Sequence, residues 1–170
     1  MRLAILAIVF TASVSGCAAE EDWIRVIIAG RGLATDLPFD TVGIDVLAAY
    51  ADDASSTDRC VTTSRTFPEG DDGTLELPIE LIIASGNDQW RHVAVRTRAL
   101  SGGPTGDEVI RIEGLFSFPV QDVWTLYLDG GCLDPDPACP DREVCDPDTH
   151  ECVPSLAHEL FGGSGTCEEI

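Results

Sequence analysis

Lysine is absent from this chain of 170 residues, and apolar runs long enough to cross a membrane are absent too. All 10 basic residues are arginine, against 30 aspartates and glutamates, so the net charge is −20. A field of that sign repels phosphate backbones and anionic headgroups, which argues against nucleic acid as a partner and against docking on lipid by charge. The apolar run Leu3–Val14 has 12 residues, whereas a membrane-spanning helix needs about 20.

Residues 1–16 instead have the pattern of a signal peptide. Arg2 precedes the apolar run, and small residues follow it. The sequence therefore predicts an exported protein in which this segment is not an element of the fold. Loss of Arg2 with the signal leaves 9 arginines against the same 30 acidic residues, a net charge of −21.

The signal ends in Val14-Ser15-Gly16-Cys17, which resembles the lipobox of bacterial lipoproteins. The resemblance implies that Cys17 receives a diacylglyceryl group and becomes the first mature residue, held at a membrane of the bacterial cell envelope. We expect the outer membrane, at its periplasmic or surface face. Residues 17–22 would then form a lipidated tether that spans roughly 20 Å when extended. An ordinary secretory signal with a chance cysteine is the alternative, and it also predicts export.

Residues 23–128 show period-two alternation with β-branched and aromatic residues, broken by Gly, Pro and Asp clusters. This pattern predicts an all-β domain: a seven-stranded antiparallel, immunoglobulin-like Greek-key sandwich. In Arg91–Leu100, for example, Val93 and Val95 share one face and Arg96 and Arg98 the other, so one face should be core and the other solvated. The predicted strands are Trp23–Ala29, Val42–Ala49, Arg59–Thr66, Thr74–Ala84, Arg91–Leu100, Glu108–Phe118 and Asp122–Leu128.

Residues 129–170 form a tail of different composition, rich in acidic residues, proline and cysteine and poor in apolar side chains up to Glu151. Such a segment cannot bury enough surface to fold by itself, so disulfides are expected to hold it. Without Cys17 the chain has six cysteines, an even number: Cys60, Cys132, Cys139, Cys145, Cys152 and Cys167.

Three disulfides are therefore expected. Loop closure favours two bridges among the four cysteines between residues 132 and 152, since short loops close at the least entropic cost. Cys60 would then pair with Cys167. The competing arrangement joins Cys60 to Cys132 and uses Cys167 to complete the tail, and the sequence leaves both open.

The stretch from Cys139-Pro140 through Cys145-Asp146-Pro147 to Cys152-Val153 resembles the small cysteine modules that close many uncharacterised exported bacterial lipoproteins after a β-sandwich. The resemblance implies an architecture of signal, sandwich and stapled tail. It implies no activity.

Other motifs favour structural interpretations. Gly30-Arg31-Gly32 lacks the third glycine of a dinucleotide-binding turn and is better explained as a hairpin turn. The cysteines show no C-x-x-C pair, which argues against zinc. Among the histidines, His92 is predicted to be a solvated residue of its strand. Three tryptophans could be sugar-stacking platforms, although core or strand-end packing is the commoner role; they are Trp23, Trp90 and Trp124.

The acidic tail supplies the best ligand hypothesis, a calcium site. Its carboxylates alternate with prolines and offer the hard oxygen ligands that Ca²⁺ prefers. The EF-hand template fails, because the sixth residue counted from Asp146 is Glu151 instead of glycine, so a solvated acidic loop is the simpler reading. The candidate ligands are Asp134, Asp136, Asp146, Asp148 and Glu151.

No set of residues forms a recognisable catalytic motif, and no cofactor beyond possible calcium is predicted. The favoured function is that of a non-catalytic envelope lipoprotein, a binding or structural module whose loops or edge strand contact a protein or a glycan. The alternatives are a calcium-binding surface module and an envelope hydrolase whose site is assembled from scattered Asp, Glu and His residues.

Overall fold

The computed structural model describes residues 6–8, 23–34, 37–50, 60–68, 74–84, 90–117, 121–133, 139–140, 142–155 and 168–169. Within them the chain is all-β, apart from one 3-10 turn at Gly130–Cys132. The strands are β1 (Leu6–Ile8), β2 (Trp23–Arg31), β3 (Thr41–Tyr50), β4 (Cys60–Phe67), β5 (Ile79–Ala84), β6 (Trp90–Ser101), β7 (Asp107–Ser117), β8 (Gln121–Asp129), β9 (Glu143–Cys145), β10 (Cys152–Pro154) and β11 (Glu168–Glu169).

The strands form a four-stranded sheet in the order β1-β5-β2-β8, a five-stranded sheet in the order β11-β4-β3-β6-β7, and the small β9-β10 hairpin. All seven strands predicted for residues 23–128 are present as β2 to β8, and most have boundaries within two residues of the prediction. The exception is the predicted strand Thr74–Ala84, which begins only at Ile79. Pro78 precedes it, and proline has no N–H to donate to a ladder.

The first and last of the seven strands lie side by side and run parallel. Trp23 of β2 faces Gln121 of β8, and the register continues without a shift to Arg31 and Asp129. This pairing corrects the prediction of a purely antiparallel fold. Parallel neighbours need a crossover connection, and here the chain between the two strands supplies it: it contributes β3, β4, β6 and β7 to the other sheet and β5 to the same sheet.

Strand β1 precedes the predicted sandwich. Leu6–Ile8 falls within the predicted signal peptide, yet in the whole chain it pairs in parallel with Leu81–Ile83 of β5. An apolar segment can satisfy the N–H and C=O groups of an open sheet edge, and β5 offers such an edge. If residues 1–16 are removed on export, this side of β5 loses its partner.

The two large sheets share one core. In β2 the buried positions alternate with exposed or half-buried ones, and Ile24, Val26 and Ile28 are fully buried. In β6 the predicted inner face is confirmed, because Val93 and Val95 are fully buried, as are Thr97 and Ala99. The remaining core side chains come from both sheets and include Val42, Ile44, Leu81, Ile110, Ile112, Phe116 and Leu128.

The outer face of the five-stranded sheet is polar and paired across strands. Arg98 lies 3.1 Å from Asp45 on the adjacent β3, and Arg96 Nε donates to Glu113 Oε1 at 2.8 Å on β7. Opposite charges facing each other across a ladder stabilise the sheet register. The inner face of β6 is therefore buried as predicted, but its outer face is only partly solvated, because Ala94 is fully buried and the Glu113 side chain is 1% exposed.

Candidate binding surface and tail junction

Strand β8 carries the exposed apolar side chains of the domain. Among the described residues, the large hydrophobic side chains with substantial exposure are Val123 and Trp124, each 48% exposed, and Tyr127, 37% exposed. Trp124 packs edge-on against Phe116 of the other sheet, with ring centroids 5.6 Å apart. Its other half faces solvent, because β8 is the last described strand of its sheet.

Arginine and aromatic side chains share the outer face of this sheet. The β2–β8 register places Arg25 beside Val123, on the side opposite to the buried Ile24 and Val26. The Arg25 guanidinium carbon lies 6.0 Å from the centre of the Trp23 ring. At the far end of the sheet, that of Arg31 lies 4.8 Å from the Tyr127 ring. Both contacts are within cation–π range.

Arg31 joins the sheet to the stapled tail. Its Nε donates to Asp129 Oδ2 and its Nη2 to the carbonyl oxygen of Pro147. Its Nη1 donates to Asp148 Oδ1 at 3.0 Å. Asp129 comes directly opposite Arg31 because β2 and β8 are parallel and in register. One side chain therefore contacts the last residue of the last sandwich strand and a turn of the tail.

Asp129 is almost completely buried, and three donors surround its carboxylate. Besides Arg31, the Gly131 N–H donates to Oδ1 at 2.8 Å, and His150 Nε2 lies 3.0 Å from the same oxygen. Desolvation by itself would raise the pKa of Asp129. The hydrogen bonds from Arg31 and Gly131, with the charges of Arg31 and His150, outweigh it, so the pKa of Asp129 lies below its ordinary value.

Three of the calcium candidates, Asp146, Asp148 and Glu151, lie within the described residues and take part in the contacts of one turn. Asp146 Oδ1 accepts from the Asp148 N–H at 2.8 Å and from the Thr149 N–H at 2.9 Å. These two bonds are the main reason that the pKa of Asp146 is lowered. Asp148 pairs with Arg31, and the carbonyl of Glu151 accepts from the Asp146 N–H. Such contacts are typical of an Asx turn.

Two further calcium candidates, Asp134 and Asp136, lie outside the described residues. Among the residues that are described, no group of three or more His, Cys, Asp or Glu side chains is placed to hold a metal ion.

Two disulfides link the tail, as loop closure predicted. Cys132 bonds to Cys145, and Cys139 bonds to Cys152, with Cα atoms 5.9 and 5.4 Å apart. The first bond overturns the competing arrangement that joined Cys60 to Cys132. Buried Cys132 and Cys145 belong to the core, so the covalent bond ties the tail to the domain at the end of β8.

The third expected bridge falls outside the described side chains, as does the predicted lipidation site Cys17. The backbone pairing nevertheless bears on it. Glu168 of β11 faces Val61 of β4 in a parallel pair. In the sequence, Cys167 and Cys60 are the residues just before these two. The Cys60–Cys167 bridge remains a prediction.

Two other features of the sequence, Gly30-Arg31-Gly32 and His92, lie within the described residues. Gly30-Arg31-Gly32 ends β2, and Gly32 has a φ of 64°, as a turn glycine does. It is not the hairpin turn that the sequence predicted, since β2 pairs with β5 and β8 and not with the strand that follows it. His92 lies 3.1 Å from the Ser117 hydroxyl across the β6–β7 ladder and is half-buried.

Sequence reasoning missed the contacts that fasten the tail. Besides the Arg31 cluster, the hydroxyl of buried Ser155 donates to both carboxylate oxygens of Glu113 on β7, at 3.0 and 2.8 Å. The residues of these contacts are 42 and 98 positions apart in the chain. Only the opposite charges of Arg31 and Asp129 at two strand ends could have signalled such a pair, and that signal is recognisable only once the strands are known to be neighbours.

Comparison of the chain with protein-family models, with curated proteins and with solved structures finds no match. Within the described ranges, no helix has the length and apolar character needed to cross a membrane.

Proposed function

We propose that this protein is a lipoprotein of the bacterial cell envelope, anchored through Cys17 in the outer membrane, and that it acts as a non-catalytic binding or structural module for a protein or a glycan. The observation that carries the proposal is the sequence Val14-Ser15-Gly16-Cys17 at the end of a signal-like run. Strand β2 begins at Trp23, and five residues separate it from the anchor. The domain would therefore lie within roughly 20 Å of the membrane surface.

The outer face of the β5-β2-β8 sheet is the surface we assign to binding. Its exposed side chains combine an aliphatic residue, an aromatic ring and arginines, namely Val123, Tyr127, Arg25 and Arg31. Aromatic and arginine side chains are enriched at the centres of binding surfaces, where they bury a large area and also form hydrogen bonds. Of the two arginines on this face, Arg31 is paired with Asp129 and Asp148, and Arg25 is exposed.

At the level of topology, we propose that β2 to β8 form a seven-stranded Greek-key sandwich of immunoglobulin-like type, modified by the parallel β2–β8 pair. The support is the path of the chain: β3 and β4 pair, the chain crosses to the other sheet as β5, and β6 returns beside β3. The return to an earlier strand after a long connection is the defining feature of a Greek key.

The anchor is tested by expressing the whole chain in a bacterium, labelling with a fatty acid, and partitioning the extract between detergent and aqueous phases. We expect the wild type to be labelled and to enter the detergent phase. Cys17→Ser should be unlabelled and should keep its signal or appear in the aqueous phase, whereas Ser15→Ala keeps a small residue and should behave as wild type. A soluble, unacylated form that begins downstream of Cys17, identified by mass spectrometry, would refute the anchor.

A further inference from the structure

The edge formed by β8 has few of the features that protect sheet edges, its charged residues being the exposed Asp122 and the paired Asp129. Gln121–Asp129 contains no lysine, proline or glycine, and its pairing with β2 shows no bulge. Natural edge strands are commonly blunted by such residues or covered by another segment. In the described part of the chain, β11 lies beside β4, the tail hairpin packs against β7, and β1 lies beside β5, whereas no strand lies on the outer side of β8.

The sequence of β8 is self-complementary about Thr125. In an antiparallel pair centred there, Thr125 faces its own copy, Val123 faces Tyr127 of the other copy, and Trp124 faces Leu126. Each of the three exposed hydrophobic side chains thus acquires an apolar neighbour. Aromatic residues opposite β-branched or aliphatic residues are favourable cross-strand pairs.

The charges of the strand agree with this register. Asp122 faces Leu128, and Asp129 faces Gln121, so no two acidic residues are directly opposite each other. Asp129 is also neutralised within its own chain by Arg31. Like charges placed opposite each other across a ladder would instead destabilise it.

We propose that β8 pairs with β8 of a second copy of this chain, antiparallel and centred on Thr125, to join two four-stranded sheets into one continuous sheet. The twofold axis of such a pair is perpendicular to the sheet, so both copies turn the Arg25 and Tyr127 face to the same side. If the proposed anchor is correct, both lipids can therefore enter one membrane. The pairing itself does not depend on the anchor.

The dimer is expected to be weak. A single strand pair buries less than the 1,000 Å² or so of a stable interface, so a transient association is expected. Two chains of net charge −20 also repel each other over distances beyond the interface. Salt screens that repulsion, so the dimer fraction should rise with ionic strength.

Cross-linking of cysteine variants of the whole chain tests the register directly. Opposite residues of an antiparallel pair have Cα atoms about 4.5 to 5.5 Å apart, which suits a disulfide. Thr125→Cys should therefore give a covalent dimer on a non-reducing gel after mild oxidation. Val123→Cys is the matched control, because its two copies would be about 13 Å apart at a strand rise of about 3.3 Å per residue. The double variant Val123→Cys, Tyr127→Cys should again cross-link.

Sedimentation velocity provides a second measurement that needs no added cysteine. At concentrations up to several hundred micromolar, the wild type should show a monomer–dimer equilibrium that shifts to dimer between 50 and 500 mM salt. Val123→Lys should raise the dissociation constant at least about tenfold, since it alters two symmetric pairs. Thr105→Lys adds the same charge in the exposed β6–β7 turn and should not do so.

Several outcomes would overturn the proposal. They are a wild type that stays monomeric at every concentration and salt level, equal cross-linking of the Thr125→Cys and Val123→Cys variants, and a dimer that survives Val123→Lys. The last result would point to another edge, such as that of β5 after loss of β1. Cross-linking can be scored in the membrane or the soluble fraction, so a failure of the lipid anchor is distinguished from a failure of the β8 pairing.

Discussion

Arg31 and Asp129 face each other at the ends of two parallel strands and are 98 residues apart in the chain, and their ion pair is one of the contacts that attach the tail to the sheet. The same guanidinium contacts the carbonyl of Pro147 and the carboxylate of Asp148. Arg31 is itself partly solvated, whereas Asp129 is 6% exposed. The buried carboxylate is therefore the member of the pair whose loss should matter most for stability.

Asp129→Asn is expected to destabilise the fold by about 1 to 3 kcal/mol, the usual effect of removing an acceptor from buried donors. In one orientation the N–H₂ of the new side-chain amide would face the Arg31 guanidinium, and in the flipped orientation it would face the Gly131 N–H. In either case two hydrogen-bond donors face each other and one hydrogen bond is lost. Urea denaturation followed by circular dichroism measures the change.

The matched control for this variant is Asp122→Asn. Asp122 is on the same strand but is exposed, and it accepts a hydrogen bond from the N–H of its neighbour Val123. Its replacement should change stability by less than about 0.5 kcal/mol, as surface substitutions usually do. Equal effects of the two variants would show that the Arg31–Asp129 pair does not hold the tail.

The pH dependence of the same pair has a definite sign. The pKa of Asp129 is lower in the folded protein than its ordinary value of 3.8. Its stabilising contribution is therefore fully present above the unfolded-state pKa and is lost as the pH falls through the lower, folded-state pKa. The difference in unfolding free energy between wild type and Asp129→Asn should therefore shrink as the pH falls below about 4. A difference that grew in acid would contradict this assignment.

Thr97 and Thr41 give opposite expectations for the same substitution. Thr97 is fully buried on β6, and among the described residues its hydroxyl has no hydrogen-bond partner. Thr97→Val keeps the shape and removes an unsatisfied polar group, so stability should be unchanged or rise by up to about 1 kcal/mol.

Thr41→Val is the control, because the Thr41 hydroxyl donates to Asp40 Oδ1 at 2.8 Å. Asp40 in turn accepts from the Gly102 and Gly103 N–H groups, at 3.2 and 2.9 Å, and so secures the β6–β7 turn. The loss of the Thr41 bond should cost about 1 kcal/mol. Thermal unfolding of the two variants in parallel measures both effects, and a clearly lower midpoint for Thr97→Val would show that its hydroxyl has a partner.

The alternation of apolar residues was sufficient to predict β2 to β8, because one face of each strand is buried and period two is a local property of the chain. Val93 and Val95 of β6 show it most clearly. The parallel contact between β2 and β8 could not be predicted in this way, since it depends on how intervening strands fill the other sheet. The surface on β8 was missed for a related reason: Trp124 is on the core side of its strand, and its exposure follows from the edge position of that strand, which the alternation of residues does not encode.

The contacts of the tail that could be predicted are those between residues close together in the sequence. Both observed disulfides close loops between cysteines 13 residues apart, as expected from the low entropic cost of short loops. On usual magnitudes, a loop of this size stabilises by about 3 kcal/mol. Replacing Cys139 and Cys152 together by serine should lower the unfolding free energy by about that amount, and a smaller loss would show that the Arg31 and Ser155 contacts hold the tail without that bond.

The last prediction concerns the remaining cysteines, Cys60 and Cys167. Val61 faces Glu168 in the β4–β11 pair, and in the sequence each of the two cysteines directly precedes one of these residues. The exported protein should have no free thiol downstream of Cys17 when it is titrated in denaturant without reductant. Cleavage after arginine and glutamate should then release the peptide 60–65 covalently linked to the peptide 160–168.

The digest separates the possible outcomes because each cysteine of this pair lies in its own short peptide. Reduction should split the linked species into its two parts, and peptides that contain Cys132 or Cys139 should never be recovered with the peptide 60–65. If both peptides carried free thiols, the C-terminal strand would be held to β4 by backbone hydrogen bonds alone. Since β11 is only two residues long, that pairing should then be lost at much milder denaturant concentrations than the rest of the sheet, which hydrogen exchange would detect.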